Sequence, residues 1–416
     1  MIRITHDTTI TRPKTQHDDI SGAVRKILDD VRRNGDEALR RYAHDFDGVK
    51  LDAIQVSQAE IDGALKVVGE DYISLLERAA NNIRSFHQHQ KRNGFMYAPS
   101  EGVIVGQRVM PLERVGLYVP GGTASYPSSV LMNAIPAKIA GCPEIYIMTP
   151  PSVKPEILAA AHVAGVTGVY RSGGAQGIGA LAYGTESVAR VDKITGPGNA
   201  YVAEAKRQVY GHVDIDMVAG PSEILIIADD TANPRYIASD MLAQSEHDKL
   251  ASAILITTSE TLAHSVCDEI EAQIVRLLRH DIARSSIDDN GRIILVESMK
   301  QAIDLANTYA PEHLELCVEN AFDFLPSIHN AGSVFIGEHS PEALGDYYAG
   351  ANHTLPTMGT ARFSSPLSVD DFTKKSQYIY YSPDALHEVA GDIEAFAMSE
   401  GLTGHAHSIT VRANHV

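Results

Sequence analysis

The chain reads as an α/β protein made of two doubly wound parallel sheets, with a helical N-terminal region and a small C-terminal tail. Three observations predict this. Between Val115 and Gly337 short apolar runs alternate with segments of helical period, the order that builds a parallel sheet covered on both faces. The alternation occurs twice in succession, so two Rossmann-like units are expected with a cleft between them. At 416 residues, the chain is also too long for a single hydrophobic core.

The elements follow in order. Apolar residues at helical spacing predict helices over 20–30 and 36–42, broken by Asn34-Gly35. Ser57 with Glu60 three residues on makes a capping box for the next helix, and a further periodic run covers 72 to about 89. The first alternating unit has strands over 115–119, 144–148, 168–170 and 193–195, with helices over 128–140, 155–164, 176–182 and 199–209. The second has strands over 224–228, 253–257, 292–296 and 333–337, with helices over 234–245, 261–278 and 299–309. The tail from Asp370 holds a strand over 378–381 and a helix from 383 to about 400, too little to fold alone. The expected division is residues 1–117 packing with 223–367, 118–222 as the first sheet domain, 223–367 as the second, and 368–416 as a tail domain.

Composition narrows the function. The 44% hydrophobic and 21% charged shares are those of a soluble globular protein. A formal charge of −18 argues against a nucleic-acid or anionic-membrane surface, although helix N-termini can still bind a small anion locally. Cys142, Cys267 and Cys317 lie far apart without paired spacing, which fits a reducing cytoplasm. No apolar run is long enough to span a bilayer, and the N-terminus lacks the apolar segment of a secretory signal.

Ligands of open α/β sheets bind at the carboxyl ends of the strands. In the first unit Pro120-Gly121-Gly122, Gly173-Gly174 and Gly196-Pro197-Gly198-Asn199 fall there, between strand and helix, where backbone donors can hold a pyrophosphate. They can equally be plain tight turns, and no G-x-G-x-x-G is present. In the second unit Gln244 and His247 lie three apart and share a helix face. Alone they read as a solvated helix end; with a second imidazole and a carboxylate they would form the mixed N/O set that suits zinc or its neighbours. Glu312-His313 is a plausible proton-transfer pair, or a surface ion pair. Asp346 lies in a polar, glycine-rich loop, and Glu400, His405 and His407 end the tail.

These segments together resemble the histidinol dehydrogenase family along nearly the whole chain. The resemblance rests on Val115–Gly122, Ser172–Gln176, Thr195–Tyr201, Asp216–Glu223, Ala243–Asp248, Ala310–Glu315, Gly345–Pro356 and Glu400–His405. Ser172 departs from a common valine, and His407 stands beside the tail motif; neither is a residue the family uses directly. The resemblance implies zinc held by Gln244, His247 and Asp346 of one subunit and His405 of the other, one ion per subunit of an intertwined homodimer. It implies NAD contacts at Tyr118, Gln176 and Asn199. Substrate contacts are Ser222, Glu400 and His313 alongside the metal ligands, and Glu312 with His313 is the acid–base pair.

The implied reaction is the four-electron oxidation of L-histidinol through L-histidinaldehyde to L-histidine, with two NAD+ reduced. Each hydride step releases a proton, which asks for a base near neutrality, His313, while Glu312 can activate the water that hydrates the aldehyde. A relative oxidising another primary alcohol, such as a sulfonated propanediol, keeps most of these segments, but Glu400 favours a cationic amine over a sulfonate. A non-catalytic zinc-dependent binding protein would leave Glu312-His313 and the glycine edges without a role.

Overall fold

The computed structural model describes residues 2–12, 17–121 and 125–413; Gly122 of the first glycine cluster lies outside them. Every strand pair in the two larger sheets is parallel. The first sheet runs Gly168–Arg171, Glu144–Thr149, Arg114–Tyr118, Lys193–Thr195, Asp214–Ile215 across its width. The second runs Arg3–Thr5, Arg292–Leu295, Ser252–Thr257, Glu223–Ala228, His313–Cys317, Ser333–Ile336. In the first, and in the second apart from its edge strand Arg3–Thr5, the chain starts at an interior strand, winds outward to one side, then returns and winds to the other. That is the doubly wound order expected from the two alternations.

Strand residues explain the burial. Glu223–Ala228 and Ser252–Thr257 are buried along their whole length, as an Ile- and Leu-rich run sandwiched between helices must be. The helices Pro155–Ala164, Pro234–Ser245 and Met299–Tyr309 occupy the expected segments. Helix Glu260–Ile274 ends before the expected 278, and a separate helix, His280–Asn290, follows it.

The N-terminal helices pack differently from the expectation. His17–Asp47 lies on helices Gly174–Tyr183 and Ala200–Val209, and Gln58–Gln88 on Pro155–Ala164 and Pro127–Ala140. They therefore mainly cover the two faces of the first sheet, and the second helix meets 223–367 only locally, where Asn82 Nδ2 donates to Tyr348 O at 2.8 Å and His87 lies against Asn352. The reason is their apolar stripes: Val24, Leu28 and Val31 join one core cluster of that sheet, and Ala79, Ala80 and Ile83 the other. Of this region, Arg3–Thr5 pairs with the second sheet. The expected boundary after 117 also cuts the strand Arg114–Tyr118, whose Val115 and Leu117 are fully buried. Gly35 (φ 49°) breaks the first helix where Asn34-Gly35 predicts it, and the Ser57–Glu60 capping box is present.

Several elements escape the sequence reading. Strands Arg3–Thr5, Phe95–Tyr97 and Val103–Pro111, the central strand His313–Cys317, and helices Glu342–Tyr347 and Thr403–Ala413 belong here. His313–Cys317 is hidden because Glu315 interrupts its apolar run and Pro311 reads as a turn. Among the described residues no helix is long and apolar enough to cross a membrane.

A second compact unit is formed by residues 91–111 with the chain from Thr373 onward. The expected tail is thus built on a partner segment: Thr373–Tyr381 pairs antiparallel with Val103–Pro111, from Thr373 opposite Pro111 to Tyr381 opposite Val103. Phe95–Tyr97 adds the third strand, and helices Pro383–Ser399 and Thr403–Ala413 pack on each other.

The capping box carries a simple stability test. Ser57→Ala removes the acceptor for Glu60 N–H and should lower stability by about 1 kcal/mol. Urea unfolding checks this, and an unchanged midpoint would show that the helix end is held by its packing alone.

Candidate active site

The second sheet places its polar residues at the amino ends of two neighbouring central strands. Glu223 begins one and His313 the other, with His313 opposite Ile224. The chain reaches His313 through Ala310, whose φ of 53° ends helix Met299–Tyr309 in the left-handed region, and then through Pro311. Arg12 braces this turn. Its guanidinium lies 3.8 Å from the centre of the Tyr309 ring and donates to Tyr309 O at 2.6 Å and Ala310 O at 3.3 Å. It also donates two bonds, at 2.5 and 3.0 Å, to the Glu223 carboxylate. Ser222 precedes Glu223 at the same edge, its carbonyl accepting from Ser252 N–H at 3.1 Å.

Glu312 and His313 are both buried, at 7% and 4% exposure, so the surface-ion-pair alternative does not describe them. Glu223 N–H donates to Glu312 Oε2 at 2.8 Å, and His313 Nδ1 lies 3.0 Å from Glu223 O. Facing a carbonyl, Nδ1 must carry the proton, which leaves Nε2 with a free lone pair. That Nε2 is buried without a hydrogen-bond partner and stands 4.0 Å from Glu342 Oε1. Burial pulls the His313 ring down to about 4, against the opposing pull of Asp346. Burial pushes Glu312 well above the usual carboxylate range; the Glu223 N–H opposes this, and the charges of Glu223 and Asp346 reinforce it.

Next to this pair, ligand atoms of His247, Glu342 and Asp346 lie within 4.8 Å of one another. Glu342 and Asp346 come from one short helix at i,i+4 spacing, which puts them on one face. His247 follows the end of helix Pro234–Ser245, its N–H donating to Gln244 O at 3.3 Å. Burial lowers the His247 ring, keeping it neutral and able to ligate. Burial raises Asp346, but the His353, His313 and His247 rings outweigh it and leave the carboxyl below its ordinary value. His353 Nδ1 stands 3.6 Å from Asp346 Oδ1, and its Nε2 3.2 Å from Ser129 Oγ.

Gln244 is wholly buried between the Glu342 carboxylate and Glu223 N–H. With its NH2 toward Glu342 and its oxygen accepting from Glu223 N–H at 3.1 Å, both ends are satisfied. Turned over, the amide oxygen sits beside the carboxylate, an arrangement that a cation between them would stabilise. One imidazole, two carboxylates and an amide therefore make an N/O donor set that fits zinc or a neighbouring divalent ion. The sequence reading does not reach Glu342; its i,i+4 relation to Asp346 is the available signal, and a loop assignment for this segment hides it. His405 lies on helix Thr403–Ala413 and Glu400 just before it, both exposed residues of the second compact unit.

A cavity of about 310 Å³ adjoins these groups, lined among others by His313, Asp346, His353, Phe335, Leu344 and Leu355. At the first sheet, the glycine clusters do follow the carboxyl ends of parallel strands. Their donors are partly used internally. Gly174 N–H donates to Tyr118 Oη at 2.9 Å, and Gly196 N–H to Asp216 Oδ2 at 2.7 Å. Burial pushes the Tyr118 phenol up to about 12, so it stays protonated. Gln176 is buried in helix Gly174–Tyr183, and Asn199 is exposed, its Oδ1 capping Val202 N–H at 3.1 Å.

The depressed His313 sets a pH test. Its folded value of about 4 lies below the ordinary 6.5, so the unfolded chain binds the proton more readily and stability falls as pH drops through that window. In metal-free protein, His313→Asn should flatten this part of the stability–pH curve measured by urea unfolding. Identical slopes in the two proteins would show that His313 does not resist protonation.

Comparison with known proteins follows this geometry. A family model described as histidinol dehydrogenase matches residues 10–413. The chain is 52% identical over 405 residues to histidinol dehydrogenase of Clostridium acetobutylicum, covering 96% of this chain and 94% of that one. It is 53% identical over 396 residues to the Streptococcus mutans enzyme, covering 95% and 93%. The crystal structure of histidinol dehydrogenase from Elizabethkingia anophelis superposes with a TM-score of 0.92 at 40% identity, covering 97% of this chain and 94% of that one. A buried Glu-His pair beside an N/O donor cluster, on this fold and at this level of identity, places the chain in the histidinol dehydrogenase family.

Proposed function

We propose that the chain oxidises L-histidinol through L-histidinaldehyde to L-histidine in the cytoplasm, with NAD and one zinc ion per subunit, as a homodimer with composite sites. The observation that carries this reading is the unpartnered, buried Nε2 of His313 beside His247, Glu342 and Asp346. Gln244, His247 and Asp346, with the partner's His405, would hold zinc, which would supply a positive centre for orienting the substrate, and NAD would supply the hydride acceptor. Glu342 supports the site by adding negative charge where a cation and a substrate ammonium would gather. Ser222 and Glu400 are proposed as further substrate contacts, and Tyr118, Gln176 and Asn199 as contacts to the nucleotide.

The residues divide the proton work. His313 is neutral at physiological pH with its free lone pair on Nε2, so it can take the hydroxyl proton at the alcohol step and again from the aldehyde hydrate. The Glu223 carbonyl holds the ring in that tautomer. Glu312, made more basic by burial, can take a proton from the water that adds to the aldehyde. Glu223 N–H orients it, and Arg12 keeps Glu223 itself paired.

His313→Asn should reduce both oxidations by about 10² to 10⁴-fold with zinc content unchanged. Glu312→Gln should harm oxidation of the aldehyde far more than that of the alcohol. Separate assays on histidinol and histidinaldehyde decide it, and equal loss of both half-reactions in the Glu312 variant would refute the division.

For the dimer, inactive His405→Asn and His247→Asn chains should complement each other when mixed. Random exchange makes half the dimers mixed, each with one intact site, so about a quarter of wild-type activity should return. No recovery despite subunit exchange would mean that His405 does not serve the other subunit's site.

A further inference from the structure

Lys206 and Asp216 form an ion pair whose side chains are 2% and 0% exposed, at the first sheet and apart from the acid–base residues. Both ions converge on one residue. Lys206 Nζ donates to Gly196 O at 3.0 Å, and Asp216 Oδ2 accepts from Gly196 N–H at 2.7 Å. Asp216 Oδ1 meets the ammonium and also accepts from Met217 N–H at 2.6 Å. Gly196 needs such holding. Its φ is 105°, and a Cβ there would stand 2.1 Å from Tyr118 O, so the turn runs tightly against the neighbouring strand. Three residues on, Asn199 caps helix Ala200–Val209, the helix that carries Lys206.

Burying two charges is expensive, and a well-packed apolar pair is often equally or more stabilising. Fold stability alone therefore gives no reason for an ion pair here. What an apolar pair cannot do is grip the amide N–H and the carbonyl of a single glycine from two sides. We infer that Lys206 and Asp216 are positioning residues for the nucleotide, holding the turn 196–199 in the conformation that presents Asn199 at the carboxyl edge of the first sheet. This rests on the reading that NAD lies on that edge.

The test is the holoenzyme variant Lys206→Met/Asp216→Leu, with Asn199→Asp as a second variant that keeps the cap acceptor but loses the amide donors. The double variant should unfold cooperatively at no lower urea concentration than wild type. Its KM for NAD should rise about tenfold, with kcat at saturating NAD nearly kept and KM for histidinol unchanged. Should it fail to fold, Asp216→Asn, which retains an acceptor for Gly196 N–H without the charge, is read by the same KM-against-kcat split. An unchanged KM for NAD in the folded clamp variant, while Asn199→Asp raises it, overturns the inference and leaves the nucleotide site standing. No change in either variant overturns both. A loss of stability without a change in KM makes the pair purely structural and likewise overturns the inference.

Discussion

The site depends on a concentration of carboxyl groups in a buried region of the second sheet. Glu223, Glu312, Glu315 and Glu342 are buried, and Asp346 is nearly so. Unpaired, such charges are costly at low dielectric, and each has a different remedy. Glu223 takes the Arg12 guanidinium. Asp346 is surrounded by imidazoles. Glu312, Glu315 and Glu342 are pushed well up by burial, with neighbouring carboxylates adding to it: Glu223 and Asp346 at Glu312, Asp240 at Glu315, and Asp346 first among several at Glu342. A region arranged in this way favours a divalent ion and a cationic substrate, because either relieves repulsion already built into the fold.

Glu315 and Asp240 extend the same logic away from the reacting groups. Glu315 Oε1 accepts from Glu342 N–H at 2.8 Å, at the start of the helix that carries Asp346. The Glu315 carboxyl also interacts with that of Asp240 on helix Pro234–Ser245, the helix that carries Gln244. Two facing carboxyls bond only with a proton between them, which accords with burial raising Asp240 to about 6. The two helices that bring the donor cluster together are thus linked through Asp240 on one of them and the buried Glu315 on strand His313–Cys317.

The two sheets carry their glycine-rich and polar segments at opposite edges. In the first, the glycine turns follow the carboxyl ends of the strands, where doubly wound sheets usually bind ligands. In the second, Glu312, His313 and Glu223 stand at the amino ends. The polar residues of the second sheet therefore lie away from its carboxyl edge. Two parallel sheets contribute one of each edge because the second is entered through the turn at Gly220-Pro221 and through Ala310-Pro311, whose short connections place polar residues just before the strands.

Local spacing and backbone chemistry in the sequence determined most strands of both sheets, most of their helices, the break at Gly35 and the capping box at Ser57. They also exposed Gln244, His247, Glu312, His313 and Asp346 as polar residues in unusual company. Tertiary structure decided what spacing cannot encode. His313–Cys317 became a central strand despite Glu315, since burial between two neighbours outweighs its broken apolar pattern. Glu342 joined the donor cluster because a helix turn aligned it with Asp346. The tail segment Thr373–Tyr381 found Val103–Pro111, more than two hundred residues earlier in the chain, through backbone pairing that leaves no local signature. Such choices are long-range: they depend on which surfaces remain to be covered once the local elements have formed.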